Sequence, residues 1–401
     1  MEAELAALRP AAAARGPEVS ADILAAVQAA AAEVDARSMW LRSGGDDGRG
    51  GSGGFDGRPF IAGADDVFRL EFSGLLQWRF TAGRLGADAA GDDRTEAGFE
   101  GRRLRFGVRG TAVDPRLAYR VSFGSPRNGS DVGLTNAYLE WDEGDGHGVW
   151  RVGRFRPAFA REERTSARRL PMIERSVAFR LGRQSRRAGV SYAWTGDRVR
   201  MFGAVHDDDD EGLDASWSAT GRVEWRGDGT WRGARSETGR PGDDPVFVAG
   251  LAGQWIAGRD QVRAWLATAD AVIKGDGWSM STAVIVREPD ARSGGGGGSG
   301  GSSEPAWSAM LRGGVFTGEH TELVARVEVG DARTAGGPRD ELLLVTAGAN
   351  WYLAGDRLRL QADIGYAFDG PGDAWSVGGT GWRQAGGDGQ VVFRTQFTLH
   401  F

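Results

Sequence analysis

The chain has 401 residues, no cysteine, 65 glycines, 15 tryptophans and a formal charge of −6. Without cysteine there is neither a disulfide framework nor a thiolate metal site, and no apolar run approaches the roughly 20 residues of a membrane-spanning helix. The charge is unevenly placed: residues 101–200 hold 21 Arg against 10 Asp and Glu, a surplus of eleven, so the remainder carries −17.

A basic centre inside an acidic chain points to a positive site for anionic partners rather than a generally basic surface. Lys274 is the sole lysine, so the abundance of arginine by itself says little about bidentate recognition.

The opening MEAELAALRP is acidic and lacks the basic start of a signal peptide. Residues 1–42 read as a helix. Ser20 can cap it, and Ile23, Leu24, Val27, Val34 and Leu41 form a thin apolar stripe suited to an appendage. Residues 43–66 read as a glycine-rich linker. The formal GxGxxG at Gly48, Gly50 and Gly53 follows no strand and opens no helix, so it is not read as a dinucleotide site.

From Val67 to the C-terminus the period is two. In VFRLEFSGLLQWRF, Phe68, Leu70, Phe72, Leu76, Trp78 and Phe80 share one face and Arg69, Glu71, Ser73, Gln77 and Arg79 the other. The pattern recurs in RLAYRVSFG, in DRLRLQADIGYAFD and in QVVFRTQFTLHF. We count 16 such segments, starting near residues 67, 98, 116, 132, 147, 186, 197, 213, 246, 260, 277, 305, 320, 340, 356 and 390. Short turns such as Asp114-Pro115 and Ala354-Gly355-Asp356 alternate with long Gly/Asp-rich connections at 81–97, 288–304 and 370–389. The 227–244 connection breaks this alternation, being long where a short turn is due.

Two all-β solutions fit. A sandwich or propeller buries the apolar faces together, whereas a membrane barrel turns them to lipid and keeps the polar faces around water. Arginines and carboxylates deep within the strands, the lack of a second helical layer and the terminal strand ending in Phe401 favour the barrel. We therefore expect a 16-stranded antiparallel transmembrane β-barrel over 67–401.

The segment Trp150–Arg187 stands apart: a strand, a long connection and a second strand. The connection carries Arg161, Arg164, Arg168, Arg169, Arg175, Arg180 and Arg183 against Glu162, Glu163 and Glu174. These guanidinium groups repel one another unless water, carboxylates or passing anions screen them. The loop 157–185 is expected to narrow a water-filled pore, the competing reading being an ordinary solvated, salt-bridged loop.

On the second strand, alternation puts Arg103, Arg105 and Arg109 on the polar face and would turn Arg102 outward, unless Gly101 permits a bulge. Arg120, Arg187, Arg198 and Arg200 extend the basic track, and the phase slips at Gly153, which leaves Arg154 and Arg156 unassigned. HDDDDEG at 206–212 suits a hard cation, although runs of acids are commonly solvated tips. The four histidines show no ligand spacing, and no nucleophile–base arrangement suggests an enzyme. No cofactor and no nucleic-acid partner are expected.

GFEGRRLRFGVRGTAVDPRLAYRVSF, VGRFRPAFAREERTSARRLPMIERS, NWYLAGDRLRLQADIGYAFD and GDGQVVFRTQFTLHF resemble the phosphate-selective porin O/P family. The likeness is closest to its planctomycete-type members, whose N-terminal helical segment resembles ADILAAVQAAAAEVDARSMWL. The resemblance implies a trimeric outer-membrane barrel of 16 strands, with the connection after the fifth strand folded into the channel. It further implies that the C-terminal aromatic strand is read by the outer-membrane assembly machinery. Arg102 and Arg103 match an arginine pair that lines the constriction, and Arg168 and Arg175 match basic residues of the folded-in loop. Glu163 stands where selective members carry a lysine, and Thr135–Asn136 where an acidic pore residue is found. Small inorganic anions are thus the expected cargo, with phosphate selectivity less supported. An unselective or cation-preferring porin and a loop-blocked barrel that tethers the envelope are the alternatives.

Overall fold

The computed structural model describes residues 52–55, 57–63, 67–85, 94–125, 132–207, 217–257, 262–289, 305–333, 339–369, 371–372, 374–375, 379–382 and 389–401. The helix read at 1–42 lies outside these residues, as does the acidic run after Asp207.

Each of the 16 alternating segments is a strand. They are β3 (Arg69–Leu85), β4 (Arg94–Ala112), β5 (Asp114–Ser125), β6 (Gly133–Asp142), β7 (Gly148–Phe155), β8 (Arg187–Thr195), β9 (Val199–Asp207) and β10 (Trp217–Asp228). The second half comprises β11 (Val246–Ala257), β12 (Val262–Gly275), β13 (Trp278–Pro289), β14 (Ala306–Phe316), β15 (Thr321–Arg333), β16 (Arg339–Asp356), β17 (Leu358–Ala367) and β18 (Gln390–His400). Neighbours pair antiparallel in sequence order, and β18 closes on β3 from Val391↔Arg84 to His400↔Leu75. Closure leaves no edge, so the ladder satisfies the backbone without water. One expected boundary moves: β4 turns into β5 at Val113, with φ 70°, and Asp114 already belongs to β5.

The wall is inside out relative to a soluble sheet. On β18, Gln390, Arg394, Gln396 and Thr398 are buried, while Val391, Phe393, Phe397 and Leu399 are exposed. On β15, Glu322, Arg326 and Glu328 are buried and Leu323 and Val327 exposed. Exposed apolar side chains in every strand pair form a surface that water opposes and lipid accepts. Exposed tryptophans gather near both rims. Trp217, Trp255, Trp265 and Trp307 lie toward the end with long connections. Trp141, Trp150, Trp225, Trp278 and Trp351 lie toward the end with short turns. Two aromatic girdles of this kind are what bilayer interfaces favour, and they account for the high tryptophan content.

Part of the segment read as a linker is ordered. β1 (Ser52–Phe55) and β2 (Pro59–Ala62) form a hairpin, and β2 continues the sheet by pairing Phe60↔Glu71 on β3. Glycine richness misled here: Gly54 lets the Phe60 ring lie against the backbone, and Arg357 covers the Phe55 ring at 5.1 Å.

Three connections fold into the lumen. Residues 156–186 enter from the long-loop end and hold helix α1 (Arg161–Arg164) and 3-10 turns at Ala167–Arg169 and Val177–Gly182. The described part of the β17–β18 connection (371–372, 374–375 and 379–382), with buried Trp375 and Trp382, enters from the same end. Residues 229–245, the connection that broke the alternation, enter from the opposite end. Within the barrel, Phe159, Val177, Phe179 and Leu181 pack on inward apolar residues of the far wall, among them Leu266, Ile285, Met310 and Leu344. Each fully buried side chain of this size contributes about 1.5–3 kcal/mol, so the loop is held against β11–β18.

Candidate functional site

Wall side chains finish what the apolar contacts begin, by satisfying the loop backbone. Glu328 accepts from Ser176 Oγ at 2.6 Å and from the Ala178 amide at 3.1 Å, and Ser308 donates to the Ala178 carbonyl at 2.6 Å. Asn350 donates to the Pro171 carbonyl at 2.8 Å, Arg326 to that of Glu174 at 2.9 Å and Arg222 to that of Phe159 at 2.6 Å. A short-helix loop inside a barrel has few backbone bonds of its own, and buried carbonyls require such partners.

The two loops from opposite ends meet. Thr165 donates to Glu237 Oε1 at 2.7 Å, Arg161 donates to the Ala234 carbonyl, and Arg312 from β14 bonds Glu237. Glu162 lies 3.6 Å from Arg312 and 3.7 Å from Arg326. Its burial outweighs these arginines and pushes its carboxyl up to about 7.

Glu174 is the opposite case. It sits 2.6 Å from Arg79 and from Arg102 and 2.8 Å from Arg103. Burial works against its charge, yet Arg103, Arg79 and Arg102 hold its carboxyl well below the usual range. Arg102 reaches this cluster through a bulge: Gln77 pairs with Arg103 and Trp78 with Gly101, which leaves Arg102 as the extra residue. The pair Arg102–Arg103 therefore faces inward and clamps the loop through Glu174.

Between the loop and β3–β10 a cavity of about 430 Å³ remains, lined by ten arginines and one carboxylate, Glu163. Arg105, Arg109, Arg120, Arg164, Arg168 and Arg175 all contribute to its wall. Of these, Arg109 bonds Glu71 at 2.7 Å and Arg164 bonds Glu224 at 2.7 Å. Arg175 donates to the carbonyls of Glu162 and Thr165. Among the described residues, Arg105, Arg120 and Arg168 have no carboxylate within 4.0 Å. The groups that bear most on Arg105 are Arg186, Arg103, Arg175 and Arg156, and those that bear on Arg168 are Arg58, Arg169, Arg120 and Arg109. Burial and those neighbours lower Arg168 to about 10, so it stays charged at neutral pH. Arg161 and Arg169 do not contribute to this wall: Arg161 is buried between the loops, and Arg169 lies outside the cavity lining.

Four lining arginines, Arg58, Arg151, Arg156 and Arg186, were missed or left open by the sequence pattern. Arg58 comes from the hairpin assumed to be a linker and lies 3.4 Å from Glu71. Arg186 donates to Asn136 Oδ1 at 3.2 Å, a neutral partner that leaves its charge uncompensated. Arg156 donates to the Glu163 carbonyl at 3.2 Å. Its position was ambiguous because of Gly153, where φ is +124° and an added Cβ would stand 2.3 Å from the Ala137 carbonyl oxygen. Pairing of β6 with β7 nevertheless runs through Gly153 without a shift. Glu163, the carboxylate of the cavity lining, accepts the Gln184 amide through Oε2 at 2.8 Å. Among the described residues no cluster of metal-ligating side chains is found.

Residues 76–228 match the family described as phosphate-selective porin O and P. No curated protein sequence matches the chain. Among solved structures, an anion-selective porin from Comamonas acidovorans superposes with TM-score 0.57 at 16% identity, over 83% of this chain and 99% of that one. OmpT of Vibrio cholerae, expressed in the outer membrane, gives 0.53 at 15% identity over 84% and 98%. In-vitro-folded OmpT in its trimer form gives 0.53 at 14% identity over 84% and 100%. At these identities the likeness bears on the fold, which is that of a 16-stranded porin barrel.

Proposed function

We propose that the protein is an outer-membrane porin through which small anions, phosphate among them, diffuse passively along the gap between the 156–186 loop and β3–β10. The observation that carries this reading is the set Arg105, Arg120, Arg168 and Arg186, guanidinium groups on the cavity wall with no carboxylate partner among the described residues. Fixed charges close to an ion path, with low-dielectric walls behind them, set ion selectivity. The match of residues 76–228 supports a porin, and the anion selectivity of the Comamonas relative agrees with the sign of the field.

In this reading the barrel is a homotrimer, as one OmpT form is, and its closing strand through Phe401 engages the outer-membrane assembly machinery. The chemistry of the cavity is channel chemistry, with no catalytic group assigned.

A salt gradient across a planar bilayer is expected to give a reversal potential of anion sign. Replacing Arg105, Arg168 and Arg186 together by Gln should carry it toward zero, with the barrel still heat-modifiable on a denaturing gel. A cation-selective wild-type channel would overturn the reading.

A further inference from the structure

The cavity has two unlike walls. Along β4, β5 and the loop it is cationic, with Arg105, Arg120 and Arg168 uncompensated among the described residues. Across from them, β7, β8 and β9 present Val149, Ala193, Phe202 and Ala204 to the same space. Register makes Val149, Ala193 and Phe202 one row, Val149 pairing with Ala193 and Ala193 with Phe202, and Ala204 extends it two residues on along β9, where it pairs with Ser191. These side chains are half-buried. They lie apart from the apolar cluster that holds the loop on the far wall.

The arginines beside the strip are neutralised. Arg151 pairs with Glu140 at 2.5 Å and lies over the Tyr138 ring at 4.5 Å. Arg164 pairs with Glu224 at 2.7 Å and lies over the Phe202 ring at 4.1 Å. Strand residues facing a purely ionic channel would keep hydroxyls and amides, as Ser122, Thr135 and Asn136 do on β5 and β6. A hydrated inorganic anion gains nothing from hydrocarbon and loses there the water that would otherwise solvate it. An anion with an apolar body gains on both sides, its charge on one wall and its hydrocarbon on the other.

We propose that the preferred permeant class is organic anions bearing a carboxylate on an apolar body, such as ring-bearing monocarboxylates. The carboxylate follows Arg168, Arg105 and Arg186, and the body moves along the strip formed by Val149, Ala193, Phe202 and Ala204. This inference rests on the anion-channel reading and names the substrate class of that channel.

The test is block of chloride current through the reconstituted full chain, with benzoate, acetate and inorganic phosphate as probes. Benzoate should half-block at about tenfold lower concentration than acetate, the gain expected from partly withdrawing a ring from water. Phosphate should block no better than acetate. Phe202→Ser should shrink the benzoate-to-acetate ratio to about twofold, whereas Arg105→Gln with Arg186→Gln should weaken both probes alike. Should Phe202→Ser fail to insert, the wild-type ratio decides alone. Equal block by benzoate and acetate, or tighter block by phosphate than by benzoate, in a channel of anion sign overturns the organic-anion inference and leaves the anion-channel reading standing. A reversal potential of cation sign overturns that reading, and the inference with it.

Discussion

The two halves of the barrel are built from the same alternating strands yet have opposite interiors. Around β3–β10 the inward positions include Arg105, Arg120, Ser122, Asn136 and Arg151, with a short apolar strip on β7–β9, and the space beside them is open. Around β11–β18 they include Ala252, Leu266, Ile285, Met310, Leu344 and Val392, and the space is filled by the loop. The outer faces of the halves are alike, since both meet lipid. The difference shows that the apolar part of the lumen is gathered on one side, where charged groups such as Arg326 with Glu328 and Arg394 with Asp363 are paired. The loop docks where the inner wall offers a large apolar cluster beside its buried polar groups, and what remains is a path between unpaired arginines and the short strip on β7–β9.

The most direct way to break the partition is Ile285→Asp, which places an unpaired carboxylate under Phe159 and Gly182. A buried charge without a partner costs about 3–5 kcal/mol, so the loop should undock. Single-channel conductance should rise several-fold and selectivity should fall. An unchanged conductance would mean that the loop does not restrict the path.

Glu174→Gln attacks the same partition from the cationic side, leaving Arg79, Arg102 and Arg103 buried around a neutral group. The cost is about 3 kcal/mol, and limited proteolysis within 156–186 should become faster while the barrel resists.

Asn136→Asp sharpens the comparison without undocking anything. A carboxylate 3.2 Å from Arg186 Nε would cancel one of the free charges, and the anion reversal potential should shrink partway toward zero.

A smaller effect is expected of pH. The Glu162 carboxyl, ordinarily near 4.5, is raised to about 7 by burial, so the folded loop favours its protonated form. Its contribution to docking is full below pH 4.5 and is lost as pH rises through about 7. Hydrogen exchange at the Ser176 and Ala178 amides should therefore slow between pH 8 and pH 6, after correction for intrinsic rates, and Glu162→Gln should remove the dependence. Glu174, held low, keeps its anchoring charge across that whole window.

The smallest change is expected from Arg58→Gln at the turn end, because Glu71 already balances Arg58 at 3.4 Å. Conductance should drop slightly at low salt and be indistinguishable from wild type at high salt, where screening is strong.

The candidate site was partly legible. Arg103, Arg105 and Arg109 could be turned inward because period-two alternation ties each side chain to a face. Arg102 defied alternation, and the bulge opposite Gln77 that re-aims it is a pairing property of two strands. The loop's guanidinium count was plain, but not its division of labour: Arg168 is on the cavity wall, Arg161 is tied to Ala234, and Arg175 is spent on backbone carbonyls. Arg58 and Arg186 went unnoticed because glycine-rich composition hid the hairpin and because Asn136 lies fifty residues from Arg186 in the chain.

By itself the amino-acid order determined the barrel: sixteen alternating runs, their starts, and an apolar outer face, because lipid imposes a local rule on every second residue. It also marked residues 227–244 as out of pattern. Only the tertiary structure decided which way the loops fold and which arginines stay free. Those outcomes depend on partners distant in the chain, such as Thr165 with Glu237 and Arg103 with Glu174. Whether a buried guanidinium serves the fold or a passing anion is set by the carboxylate that closure of the barrel brings beside it, or fails to bring.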